Sequence, residues 1–198
     1  MERGNLFVIS GPSGTGKSTV IRKATDDRSD ICFSVSATTR KPRPGEMDGR
    51  EYFFVEPKEF DRMVECGELL EHAEYAANHY GTPKKYVEQK LNEGFNVILD
   101  IEVQGARQVF EKMPDCVKIF IIPPSLDELE KRLRGRGTET ERAIEARLNI
   151  ARIEYSSADF YDYIIINDDV ETAALEFSSI ISAEKCRYTK RKDCLSVD

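Results

Sequence analysis

Within Gly11-Pro12-Ser13-Gly14-Thr15-Gly16-Lys17-Ser18, glycines, a lysine and a hydroxyl recur at the spacing GxxxxGK[ST]. Glycines at these places let successive backbone N–H groups point inward and form a nest for anions. A helix beginning near Lys17 adds its positive end to that field. Lys17 supplies a compact cation for β- and γ-phosphates, and the Ser18 hydroxyl is an oxygen ligand suited to Mg2+. The motif predicts a nucleoside triphosphate held by residues 11–19, Thr19 included. It does not say what receives a phosphoryl group.

A second concentration of chemistry lies in Ser36-Ala-Thr-Thr-Arg-Lys-Pro-Arg-Pro-Gly-Glu-Met-Asp-Gly-Arg-Glu-Tyr52. Pro42 and Pro44 stiffen the chain around Arg40 and Arg43 and restrict the residue before each proline. Such an arginine pair is either an anion clamp or a solvated basic turn.

The elements that must carry these residues follow from periodicity. LFVIS at Leu6–Ser10 is a short apolar run of the kind buried in a parallel sheet. Similar runs recur at Val97–Ile101, Val117–Ile122 and Tyr163–Ile166. Helical patterns follow them at Gln104–Lys112, Leu126–Arg134, Thr140–Ile153 and Val170–Lys185. Strands alternating with helices predict an α/β fold with a parallel sheet. Residues 33–82 break the rhythm: FSVS and EYFFV alternate as in a small, partly exposed antiparallel sheet, with a short helix at Pro57–Cys66. Glycines and charges at Arg134–Arg142 interrupt two helices and read as a flap.

Together with the phosphate loop, SATTRKPRPGEMDGREYFFV resembles the guanylate kinases. YGT at 80–82, ILDIEVQG at 98–105, GRGTE at 135–139 and IIINDD at 164–169 extend the likeness from about residue 5 to about residue 183. The resemblance implies a P-loop NTPase-type three-layer α/β/α fold with a parallel core sheet, an inserted mixed α/β GMP-binding subdomain and a small helical lid. Residues 1–32, 83–125 and 150–198 would be core, 33–82 the GMP-binding subdomain and 126–149 the lid. The implied activity is transfer of the γ-phosphate of MgATP to GMP and dGMP, with closure of the inserted parts assembling the site.

By the same resemblance Arg40, Arg43 and Tyr52 hold the GMP phosphate, with Tyr80 at the phosphate or sugar. Glu71 accepts from guanine N1–H and the 2-amino group, and the Thr82 hydroxyl donates to O6. Ser36 and Glu102 complete that pocket, and Gln104 belongs to it. Asp100 closes an apolar strand, where it either orients a Mg2+-bound water or a donor arginine, or serves as a cap or turn. Arg132, Arg136 and Arg147 are the lid arginines over ATP; Lys17, Arg43, Asp100, Arg136 and Arg147 would be catalytic. Asn167 and Asp168 match the segment beside the donor adenine, or form a turn and helix cap.

Two other classes compete. A scaffold module that binds phosphorylated partners without catalysis would lack Lys17 or the lid arginines, which this sequence has. A kinase for another monophosphate is opposed by Glu71 and Thr82. A formal charge of −7 speaks against a general nucleic-acid binder, so anionic ligands must be held by local Arg and Lys. Five scattered cysteines without a CxxC pair, and two histidines away from zinc spacing, predict reduced thiols in a cytoplasmic protein. No run is long enough for a signal peptide or a membrane span. The expected partners are ATP and GMP, with the chain a monomer or homodimer. Lys190-Arg191-Lys192 reads as part of a solvated, frayed terminus.

Overall fold

An apolar run without alternation has no face to give to water, and Leu6–Ser10 forms a strand, β1, with all five residues buried in the computed structural model. The structure describes residues 2–135, 137 and 140–192. The chain continues through α1 (Lys17–Thr25), β2 (Ile31–Phe33), β3 (Ser36–Thr38), β4 (Tyr52–Phe54), α2 (Pro57–Glu65), β5 (Leu69–Tyr75), β6 (Asn78–Pro83) and α3 (Lys84–Asn92). Then come β7 (Asn96–Asp100), α4 (Val103–Lys112), β8 (Val117–Ile122), α5 (Leu126–Gly135), α6 (Glu141–Tyr155), β9 (Tyr163–Ile166), α7 (Val170–Glu184) and α8 (Tyr188–Arg191). Two compact units result: Met1–Val8 with Asp30–Cys116, and Ile9–Ser29 with Val117–Asp198.

In the first unit β2, β7 and β1 lie in that order in the parallel-strand core sheet. Leu6, Val8, Val97 and Leu99 from these strands share a core with Leu70, Val87, Leu91, Ala106 and Val109. Burying each such Leu or Val side chain is worth roughly 1.5–3 kcal/mol. In α4 the buried residues Val103, Ala106 and Val109 recur every third position, which turns one face inward and leaves Gln104 exposed.

The second sheet of this unit corrects the sequence reading. It is mixed, with order β4-β3-β6-β5, and β3 pairs β4 in parallel, Ser36 opposite Tyr52. Residues 39–51 form a long crossover and not a hairpin, and a parallel pair needs a connection of about a dozen residues. The remaining pairs, β3 with β6 and β5 with β6, are antiparallel. The β5–β6 turn holds Ala76 at φ 49° and Ala77 at φ 58°. Both have the left-handed backbone of a two-residue hairpin turn, normally given to Asn or Gly at a lower cost.

In the second unit β8 and β9 are parallel, from Ile119 opposite Tyr163 to Ile122 opposite Ile166. Val20 and Ile21 are the buried side of α1, which packs against α7 and its Ala173, Ala174, Phe177 and Ile181. Leu129 and Leu133 of α5 meet Ile144, Leu148 and Ala151 of α6 in a separate small core. Thr140 caps α6 by accepting from the Ala143 amide at 3.3 Å, a contact worth about 1 kcal/mol in a helix of this kind. Among the described residues no helix is long and apolar enough to cross a membrane.

Candidate functional site

The phosphate loop lies in the second unit and is built by close approach. Gly11 sits so near β8 that a Cβ there would meet the Ile121 carbonyl oxygen at 2.0 Å. Gly16 opens α1 at φ 86°, a backbone that disfavours side chains, and a Cβ on it would lie 2.5 Å from Asn167 Nδ2. Gly14 also has positive φ, at 96°. Pro12 and Thr15 are buried, while Ser13, Ser18 and Thr19 are exposed.

The Lys17 ammonium donates to the Gly11 carbonyl at 2.9 Å and so spans the loop it belongs to. Two arginines from the helical hairpin reach the same loop. Arg147 of α6 donates to Ser13 Oγ at 2.8 Å. Arg132 of α5 approaches the Thr15 carbonyl at 3.4 Å while its Nε donates to Glu128 at 3.1 Å. Three cations therefore converge on a nest of backbone amides, which is an arrangement for a polyanion. Arg134 is occupied elsewhere, paired with Glu130 and Glu141. Arg136 lies outside the described residues.

Asn167 and Asp168 follow β9, and only one of them touches the loop. Asn167 is 2% exposed and its Nδ2 donates to the Thr15 carbonyl at 2.6 Å. Asp168 is exposed, with its amide donating to Ile166 O at 3.0 Å. The cap of α7 is the next residue, Asp169, whose carboxylate accepts from the Thr172 amide and hydroxyl, both at 2.8 Å. Those bonds, led by the backbone one, hold the Asp169 carboxyl below its usual range.

The first unit gathers the other predicted residues. Arg40 forms a two-pronged pair with Glu46, at 3.0 and 2.8 Å, and its guanidinium lies over the rings of Tyr52 and Phe54 at 5.3 and 5.7 Å. The Tyr52 and Tyr80 rings meet edge to face at 5.9 Å. The Arg43 amide donates to Glu46 at 2.7 Å, and the Arg43 side chain is exposed. Glu46 thus fixes Arg40 and the backbone of Arg43 at once. The sequence reading gave Glu46 no role, although the first acid downstream of two arginines in a Pro-rich turn was the available signal.

On β5 and β6, Thr82 Oγ1 donates to Glu71 Oε1 at 2.6 Å; Glu71 is 7% exposed and Thr82 fully buried. Burial pushes the Glu71 carboxyl above its usual range, against the Thr82 bond and the charge of Lys112. Glu71 Oε2 rests on the first turn of α4, where a Cβ on Gly105 would stand 3.0 Å from it. Helix N-termini favour such an anion. Lys112, at the far end of α4, donates to the Leu69 carbonyl at 2.9 Å. Gly105 and Lys112 were missed as parts of the Glu71 pocket, because helical spacing alone does not say which strand a helix covers. Ser36 begins β3 and is half-buried; Asp100 ends β7 exposed; Glu102 and Gln104 are exposed at the start of α4, and no side-chain bond caps that helix at Glu102.

Comparison with known proteins points one way. A family model described as guanylate kinase matches residues 3–184. A guanylate kinase of Lactococcus lactis subsp. lactis is 52% identical over 189 residues, covering 96% of this chain and 92% of the relative. A guanylate kinase of Clostridioides difficile is 48% identical over 195 residues, covering 98% and 95%. Among solved structures, guanylate kinase from Anaplasma phagocytophilum superposes with a TM-score of 0.69 at 37% identity, covering 96% of this chain and 90% of that one.

Proposed function

Because the chain belongs to the guanylate kinase family, we propose that it transfers the γ-phosphoryl group of ATP to GMP, giving ADP and GDP. The observation that carries the acceptor is Glu71, a buried carboxylate held in place by Thr82 in the unit that also carries an arginine–tyrosine cluster, in a chain with a phosphate loop. Guanine offers two adjacent donors, N1–H and the 2-amino group, which match two carboxylate oxygens. Adenine would turn a bare N1 acceptor toward Glu71 and leave a buried charge without its partner. Thr82 spends its one proton on Glu71, so donation to O6 requires the hydroxyl to rotate when the base arrives.

The chemistry needs no covalent enzyme intermediate. An oxygen of the GMP phosphate attacks the γ-phosphorus in line, and the bond to the bridging oxygen breaks with its electron pair leaving on ADP. Lys17 and Arg147 act on the donor phosphates, exchanging their bonds to Gly11 and Ser13 for phosphate oxygens, with Arg132 beside them. Arg136 takes its place with these by sequence position alone. Arg40, Arg43, Tyr52 and Tyr80 hold the acceptor phosphate, and Ser36, Glu102 and Gln104 lie around the nucleoside. The exposed Ser18 hydroxyl, next to the anion nest, is a hard oxygen donor that would suit Mg2+ carried by the triphosphate, and Asp100 is the carboxylate proposed to act on that ion. When bound, that ion neutralises charge between the β- and γ-phosphates. The described cysteines are free thiols, which fits a cytoplasmic enzyme of purine nucleotide metabolism that recycles GMP.

The direct test is coupled ADP release with MgATP against GMP, dGMP, AMP and UMP. Turnover with GMP and dGMP alone is expected; a preference for AMP or UMP would sink the assignment. Arg43→Ala, run alongside, should lower kcat/KM for GMP by about 10- to 100-fold, the worth of one charge-assisted phosphate contact. A folded protein that binds GMP but turns over no monophosphate would instead be a scaffold module. Gly105→Ala tests the Glu71 pocket more gently. Its methyl group would displace the carboxylate by a few tenths of an ångström, so KM for GMP should rise about 3- to 10-fold with kcat near wild type. An unchanged KM would mean that Glu71 does not meet the base.

A further inference from the structure

We propose that Asn167 is a positioning residue of the phosphate loop, holding the Thr15 peptide so that the amides after it face the triphosphate, and that it does not read the donor base. The proposal rests on the phosphate-loop reading above. A loop whose N–H groups point inward must turn carbonyls outward, and each buried carbonyl needs a donor. Thr15 is fully buried, so its carbonyl has no access to bulk water. Asn167 Nδ2 meets it at 2.6 Å. Arg132 reaches the same oxygen only at 3.4 Å. Once Arg132 moves onto a phosphate, Asn167 is, among the described residues, the donor that keeps that carbonyl in place.

Three further features fit this role. The Asn167 amide donates to the Ile122 carbonyl at 2.7 Å, which continues the β8–β9 ladder and presents the side chain from the sheet and not from a loose loop. Gly16 leaves the space that the amide occupies, since a Cβ there would lie 2.5 Å from Nδ2. The Asn167 Oδ1 atom is buried without a hydrogen-bond partner. An adenine therefore has no exposed polar atom of the Asn167 side chain to meet. The reverse amide orientation would set Oδ1 against the Thr15 oxygen, so donation is the arrangement that this contact admits.

The experiment uses inorganic tripolyphosphate, which has no base, as the calorimetric probe, and ATP and GTP as alternative donors in steady-state assays. Asn167→Asp keeps the shape and removes the donor; Asn167→Ala removes it without adding charge. Both variants are expected to lose at least about 10-fold in tripolyphosphate affinity. Both should lose kcat/KM by a common factor with ATP and GTP, with KM for GMP within about twofold of wild type. Loss confined to ATP, with tripolyphosphate affinity intact, would make Asn167 a base reader and overturn the proposal. A lower Tm with unchanged tripolyphosphate affinity in the folded protein would reduce the residue to packing and overturn it equally. Wild-type protein that ignores tripolyphosphate would overturn the phosphate-loop reading, and this proposal with it. If wild type binds the probe and Lys17→Met does not, that reading stands whatever the Asn167 variants do.

Discussion

Lys17→Met is expected to lower the rate of phosphoryl transfer by about 1,000-fold or more while GMP binds as in wild type. Methionine matches the length of the lysine stem, so the half-buried side chain keeps its packing and loses only its charge and its donors. The bond to the Gly11 carbonyl goes with them, while Gly11 keeps its close approach to the Ile121 carbonyl of β8. Charge develops on the bridging oxygen and the β-phosphate only as their bond to the γ-phosphorus breaks, so the loss should appear in kcat more than in KM for ATP. The residues proposed for GMP, from Ser36 to Gln104, all belong to the first unit, and Lys17 belongs to the second. Coupled ADP release and calorimetry with GMP measure the two quantities separately. Turnover near wild type would mean that the loop binds something other than the reacting phosphates.

Glu71→Gln should produce effects of opposite sign on activity and stability. Glutamine offers guanine one acceptor and one donor where the base presents two donors, so kcat/KM for GMP should fall about 100- to 1,000-fold, or about 3 to 4 kcal/mol. The unliganded protein should become more stable. Burial raises the Glu71 carboxyl above its usual range, so the folded state holds that proton more firmly than the unfolded chain does. Stability contributed by the neutral carboxyl is therefore present at low pH and is lost as pH rises through the raised value. A glutamine in its place, which does not titrate, would carry no such loss. The Tm of the variant should match wild type near about pH 3, below the usual glutamate range, and exceed it by a few degrees near about pH 7.5. A variant less stable than wild type at neutral pH would show that Lys112 and Thr82 more than offset the burial of the charge.

The core strands were legible because apolar runs mark them: β1, buried throughout, and β8 and β9 fall at the residues those runs predict, although Ile164 and Ile166 leave one face of β9 half exposed. The loop-to-helix transition at Lys17 was equally plain, since glycine spacing and the helix start coincide. The second sheet was legible as a place and not as a pattern. Alternation locates β3 and β4 but does not give strand direction, and a Pro-rich stretch reads as a turn even when it is a crossover. The β5–β6 hairpin escaped because Ala76-Ala77 lacks the Asn-Gly or Asp-Gly signature that its backbone would favour. Helix α3 escaped too, its buried Val87 and Leu91 being too few to mark a face among charged neighbours. In the site, single residues with strong chemistry were found and their supports were not. Glu46, Gly105 and Lys112 act through what they touch, and touching is a tertiary fact. Asn167 was noticed, but a side chain's direction after the last strand cannot be read from its name.

The contact between Asn167 and Thr15 spans 152 residues, which gives it a meaning in time as well as in space. Synthesis begins at the N-terminus, so the ribosome releases the entire Gly11–Ser18 motif while β8 and β9 are still unmade. A nascent chain at that stage carries the signature of a phosphate loop without the donor that fixes its Thr15 carbonyl. Closing so long a loop is slow, and the closure is rewarded only when β9 docks on β8. Nucleotide therefore has no finished loop to bind on a partial chain. ATP acts as a ligand of the completed fold and not as a template for its assembly.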